Sequence, residues 1–529
     1  MMEGFALIRE QCLPVLLSLG RAATVATKRS RGAGSSRLGG AVSPATGYGM
    51  YHLSHLLAAN EMCVGRGDQR DRRRERVTSL AQNESTADHR LPNVDDSIAL
   101  RLKELTDQER DFWAFARGTR RPFEDAYFLY AAMMVPAMQS LLISTVSELQ
   151  SHVKSVLDPF AGSGTVLAEA MAGGLSAQVQ DVNPLAILLC AVREGPFNID
   201  DLRSRGKAVL KRATKDTSAA IDSSIQNYPK WFRPRTAVQL SRLRRSIRKT
   251  ADVSVRRFLW VALAETVRRC SNSRTSTYKL HVRPATEIAA LPAPMTVFEH
   301  VLAENLERHE RFASRLSDAK RLRNGKYSAK TSTLLRDSRL AIPGRHDLLI
   351  TSPPYGDNRT TVPYGQHAYL PLSWIDLGDI PGCDDDVLRT TYEIDRRSLG
   401  GYRTRGDLQR KYEPVLDVSA TLAEFTRRMK DDRERLSKVL VFAADLQTAL
   451  HASLSALNPN AYLFFVLGNR RVGNVEVKLD SILSELLEAE GATHVATFDR
   501  TIPTKRMPLR NDQAATIRGE RVLVLRKTS

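Results

Sequence analysis

Apolar positions along this chain recur with two different periods, and the alternation between them predicts the architecture. Aliphatic and aromatic residues gather first in Phe123–Leu142. Val153–Leu157 then forms a short apolar run of strand length, Thr165–Ala172 a helix, Ala177–Val182 a second strand and Leu185–Val192 a second helix. Strand–helix alternation of this kind predicts a parallel sheet covered by helices on both faces. After residue 197 the rhythm changes. Leu240, Leu243 and Ile247 share one helical face, with Arg242, Arg245, Arg248 and Lys249 around it. Val255–Arg269 predicts another helix, with Leu259, Ala262, Leu263 and Val267 on one side. Near residue 331 the α/β pattern returns: Asp347–Thr351 and Tyr462–Leu467 read as strands, and Leu479, Ile482, Leu483, Leu486 and Leu487 mark an amphipathic helix stopped by Gly491. His494–Phe498 and Val522–Leu525 read as the last strands.

Four stretches follow. Residues 1–95 are expected to be a poorly structured basic extension: Gly and Ser cluster at Arg31–Gly40, and Arg70–Arg76 reads RDRRRER. The apolar run Cys12–Leu19 is flanked by Glu3 and Glu10 and has no small-residue cleavage site, which argues against a signal peptide. Residues 96–196 and 331–529 carry the α/β pattern, and 197–330 form a helical, basic insertion between them.

Composition narrows the function. With 78 Lys+Arg against 59 Asp+Glu the net charge is +19, a balance that attracts polyanions. A hydrophobic content of 42% supplies a real core, and no apolar run approaches the roughly 18 residues of a membrane span. Cys12, Cys63, Cys190, Cys270 and Cys383 stand far apart without a CxxC, which excludes a disulfide framework and suits a reducing cytosol. Neither the histidines, His367 among them, nor the cysteines show metal-ligand spacing, so no metal is expected, and no GxxxxGK[ST] loop is present.

Two motifs carry chemistry. Asp158-Pro159-Phe160-Ala161-Gly162-Ser163-Gly164-Thr165 joins a strand to a helix, and its two glycines let the backbone turn tightly against a ligand beside free helix N–H groups. Asp181 ends the next strand, where an acid takes ribose hydroxyls in nucleotide-binding βαβ units. The second motif is Thr351-Ser352-Pro353-Pro354-Tyr355-Gly356 after another strand. Two prolines hold carbonyl acceptors rigidly, Ser352 adds a hydroxyl and Tyr355 a flat ring, a set suited to an exocyclic amine on a planar base.

In this order the pair resembles the class I S-adenosylmethionine-dependent DNA amino-methyltransferases, the cytosine-N4 and adenine-N6 modification methylases, over the blocks 120–195 and 331–529. The resemblance implies an α/β, Rossmann-like fold with a mostly parallel twisted sheet, S-adenosylmethionine as cofactor and double-stranded DNA as partner, with the target base flipped out. It implies a cofactor site of Asp158, Phe160–Thr165 (through Ala161, Gly162, Ser163 and Gly164), Asp181 and Asp337, the last in Leu334-Leu335-Arg336-Asp337-Ser338. Tyr127–Ser140 resembles the family's helix before the first strand, with Tyr130-Ala131-Ala132 where relatives carry YPA. Ser352, Pro353, Pro354 and Tyr355 are the implied catalytic group, and Ser before the prolines favours cytosine N4 over adenine N6. The insertion 197–330, with Arg242, Arg245, Arg248 and Lys249, is the candidate DNA-recognition region, and Arg359 a further DNA contact. A prokaryotic cytoplasm with the nucleoid is the expected location, with a restriction enzyme as a further partner. Two rivals differ in substrate or class. The transfer-RNA guanosine-N2 methyltransferases look similar but carry Asp or Asn before PPY, and a DNA-binding protein with a dead methyltransferase fold conflicts with the intact motifs.

Overall fold

The strands that lead into the two motifs are apolar on both faces, as strands covered by helices must be. Seven of them form one sheet: β1 (Ser155–Asp158), β2 (Ser176–Asp181), β3 (Thr331–Leu335), β4 (His346–Thr351), β5 (Leu457–Leu467), β6 (Ala492–Thr501) and β7 (Gly519–Lys527). The computed structural model describes residues 93–108, 112–115, 126–402 apart from 224 and 226, 408–502 and 519–528. The basic extension expected over 1–95 lies outside the described residues as far as position 92.

In space the strands run β6-β7-β5-β4-β1-β2-β3. Contacts among β3, β2, β1, β4 and β5 are parallel, while β7 is antiparallel to both β5 and β6. This is a Rossmann-like methyltransferase fold, mostly parallel. Chain order reverses between β1 and β4, and at such a switch point the connections leave on opposite faces and open a crevice at the carboxyl ends of the strands. Both motifs sit there.

Each face of the sheet has its own core. Val156, Leu348, Ile350 and Phe464 pack with α1 (Val94–Gln108), α2 (Pro136–Leu149) and α3 (Thr165–Gly173), the helices nearest β1 in sequence. Leu157, Leu349, Leu463 and Phe465, the alternate positions, pack on the other side with the long helix Arg433–Ser455 and with Leu479–Ala489. A third core joins Leu185–Leu189 of α4 (Pro184–Arg193) to the helices α5 (Ile199–Lys215), α6 (Pro234–Arg248), α7 (Val253–Cys270) and α8 (Pro294–Asp318). Helix α7 is buried nearly all round, Phe258 to Ala264 without a break. Among the described residues, this stretch also holds a two-residue hairpin, Leu322–Arg323 with Lys326–Tyr327, and a bridge between Ser273 and Val282, neither signalled by the hydropathy pattern.

One boundary differs from the sequence reading. The helix before β1 starts at Pro136, not at Tyr127, because proline is favoured in the first turn and disfavours helical backbone in the residue before it. Residues 126–135 form an irregular segment instead, with Ala132 at φ 51°.

Candidate active site

Asp158 closes β1 and is fully buried. Its Oδ1 accepts from the Phe160 N–H at 3.0 Å and from the Thr351 hydroxyl at 2.6 Å. Its Oδ2 is buried and accepts no hydrogen bond. A buried, uncompensated carboxylate oxygen is costly, and burial pushes this carboxyl up to about 7. Asp181 closes β2 and ties the glycine loop down: Oδ2 accepts from Gly162 N–H and Oδ1 from Asn183 N–H, each at 2.9 Å. Desolvation pushes its carboxyl up to about 6. Gly162 and Gly164 have φ 50° and 74°, and a Cβ on Gly164 would stand 3.0 Å from the Cys190 sulfur. The motif therefore needs glycine there for both conformation and space.

Ser352 and Pro354 stand at the carboxyl end of β4 and line the same cleft as the glycine loop, while Pro353 is buried behind them. Tyr355 is half-buried; its hydroxyl lies 3.4 Å from the Ser352 hydroxyl and donates to Glu520 Oε1 at 2.9 Å. Burial, with the Glu520 charge beside it, raises the Tyr355 phenol well above its ordinary range. The turn that follows is locked from below. Arg470, nearly buried, donates to Thr360 at 2.8 Å, reaches Asp357 at 3.7 Å and lies so close to Gly356 that a Cβ there would stand 2.3 Å from its guanidinium carbon.

The cleft encloses a cavity of about 80 Å³ and is partly open to solvent. Its floor is Phe160–Ser163, Asp181 and Asn183; Tyr130–Met134 form one wall and Asn358, Tyr364 and Ile394 with Arg397–Leu399 another. Tyr130 stacks on Tyr364 at 5.7 Å and takes a hydrogen bond from Asn183 at 2.8 Å. Asp337, just beyond β3, lines the cleft and is held by Arg339 at 2.6 Å, which also reaches Asp445 at 2.9 Å. An orphaned acceptor at Asp158 behind the glycine loop, a second carboxylate at Asp181 and a largely apolar cleft fit a ligand with a cationic amino group, hydroxyls and a flat ring, which are the parts of S-adenosylmethionine. Asn183 and Glu520 were not singled out from the sequence, and nothing local marks Glu520; Thr351 was read only as part of its motif.

The basic residues of α6 lie elsewhere and are already engaged. Arg242 donates to the Ser218 carbonyl at 3.1 Å, Arg245 pairs with Asp216 at 2.9 Å, and Arg248 pairs with Asp376 at 2.9 Å and with Asp222 at 3.4 Å. Arg248 and Lys249 are exposed, Arg242 and Arg245 half-buried. Arg359 is exposed above the Tyr392 ring, 5.8 Å from its centroid. Among the described residues no group of three or more His, Cys, Asp or Glu could hold a metal ion, and no helix is long and apolar enough to cross a membrane.

No family model matches the chain. It is 28% identical over 458 residues to the Type II methyltransferase M.MvaI of Kocuria varians, an alignment spanning 82% of this chain and 98% of that protein.

Proposed function

We propose that this chain, a member of a DNA methyltransferase family, methylates an exocyclic amine of a DNA base, cytosine N4, from S-adenosylmethionine. One contact carries the reading: the Thr351 hydroxyl donates to Asp158 at 2.6 Å and so ties the SPPY turn to the floor of the glycine loop. A methyl donor on one motif and an acceptor amine on the other would then meet at the switch point between β1 and β4.

The residues divide the work. Asp158 Oδ2 would take the cofactor's amino group, the loop Phe160–Thr165 its methionine end, and Asp181 its ribose hydroxyls, with Asp337 near the adenine. The bound sulfonium supplies an activated methyl group. An amine on an aromatic base is a weak nucleophile because its lone pair is delocalised. Hydrogen bonds from it to Ser352 and to the Pro353 carbonyl favour the pyramidal geometry that frees the pair. This is catalysis by positioning and fixed dipoles. A base in a duplex is unreachable, so it must be flipped, at a cost of a few kcal/mol that stacking on Tyr355 offsets by about 1–3 kcal/mol. Ser352 supports cytosine because a hydroxyl takes the place of the acid or amide that precedes PP in most adenine-N6 relatives. Arg248, Lys249 and Arg359 are the exposed cations proposed to meet phosphates, and the cytoplasm is the proposed location.

Digested DNA from a methylation-deficient strain expressing the protein should contain N4-methylcytosine by mass spectrometry. N6-methyladenine alone would overturn the cytosine assignment. Methylated guanosine in RNA with DNA untouched would overturn the DNA reading.

A further inference from the structure

Ser352 is useful to the reaction only as a hydrogen-bond acceptor. A serine hydroxyl can equally donate, and donation into the amine's lone pair would block the electrons that must attack. Something has to choose its direction. We propose that Glu520, clamped by Arg500, is a positioning residue that sets Ser352 as an acceptor by way of the Tyr355 hydroxyl; the inference rests on the methyl-transfer reading above.

The argument is one of proton counting. Arg500 on β6 and Glu520 on β7 face each other as a cross-strand pair, and Arg500 Nη1 donates to Glu520 Oε2. Arg500 is itself anchored, its Nε donating to the Trp113 carbonyl at 2.9 Å, and it is nearly buried. A carboxylate in such a pair only accepts. Its other oxygen, Oε1, takes the Tyr355 hydroxyl at 2.9 Å. Tyr355 has a single proton, and Glu520 consumes it. Its oxygen is then left to accept, and its neighbour is the Ser352 hydroxyl at 3.4 Å, a long contact of the kind that tightens when a substrate arrives. With its own proton turned toward Tyr355, Ser352 presents only lone pairs to the cleft it lines. The chain Arg500, Glu520, Tyr355, Ser352 therefore runs one way. It also gives the tyrosine hydroxyl a task separate from the stacking surface of its ring.

The test is a double-mutant cycle on the full chain, with unmethylated plasmid DNA and radiolabelled S-adenosylmethionine. Tyr355→Phe keeps the ring and breaks the chain, so kcat should fall about tenfold while KM for DNA moves less than about twofold. Glu520→Ala should cost a similar factor in the wild type and almost nothing further in the Tyr355→Phe background. Glu520→Gln, which keeps a carbonyl acceptor for the phenol, should recover most of the loss and serves where the alanine variant fails to fold. Losses that add in the double mutant, or a Tyr355→Phe enzyme with wild-type kcat, overturn the inference and leave the methyltransferase reading standing. A folded wild-type chain that methylates no DNA overturns both.

Discussion

Replacing Asp158 by asparagine isolates the charge beneath the glycine loop. Burial pushes the wild-type carboxyl from 3.8 up to about 7, which corresponds to about 4 kcal/mol against the charged form. The folded value lies above the unfolded one, so this group's stabilising share is complete below about pH 4 and is lost as the pH rises through about 7. Asp181, pushed up to about 6, acts with the same sign. The cofactor-free protein should therefore lose stability between about pH 4 and 7, and Asp158→Asn should flatten that loss, leaving the variant more stable than the wild type at pH 8 by up to about 4 kcal/mol. Cofactor affinity should move the opposite way. An ammonium against the unpartnered Oδ2 favours the carboxylate, so the wild type should bind S-adenosylmethionine about tenfold more weakly per pH unit below about 7. Loss of a charge-assisted hydrogen bond should weaken binding by Asp158→Asn about 10- to 100-fold at pH 8 and remove the slope between pH 6 and 7. Calorimetric titrations and thermal melts across this pH range read both effects. A variant of unchanged affinity, or a wild type whose affinity ignores pH, would refute the placement of the amino group at Asp158.

Gly356→Ala should drive a methyl group against the buried Arg470 guanidinium, which stands 2.3 Å from the new Cβ, and lower stability by about 2 kcal/mol or more in denaturant titration; an unchanged midpoint would show that Arg470 can withdraw. Changing Arg242, Arg245, Arg248 and Lys249 together to Ala should lower the melting temperature, because it releases the 216–222 segment. If Arg248 and Lys249 alone meet phosphates, the log–log salt slope of DNA binding should shrink by about 2, and a loss near 4 would place all four on the DNA.

Much of the scaffold is written locally. Val153–Leu157 and Asp347–Thr351 are short, largely apolar stretches of strand length, and the structure has β1 and β4 within a residue or two of them. Leu240, Leu243 and Ile247 do face inward together. The glycine loop announces itself because a turn with φ near 50° and 74° at alternate positions tolerates few other residues. Helix α8 is legible too: Val297, Val301, Leu302, Phe312 and Leu316 repeat at helical spacing.

Periodicity tells which side of an element is buried, never what its polar side meets. Arg242, Arg245 and Arg248 read as one basic patch, yet the fold sets them against Ser218, Asp216, Asp222 and Asp376. Thr351 meets Asp158 across 193 positions and Tyr355 meets Glu520 across 165. These contacts exist because β1 lies beside β4 and because β7 turns back antiparallel between β5 and β6. The two motifs supply their chemistry through short-range rules of backbone and composition. Their assembly into one cleft, and the carboxylate behind the tyrosine, depend on strand order, which is decided by how whole helices and strands bury their apolar faces together.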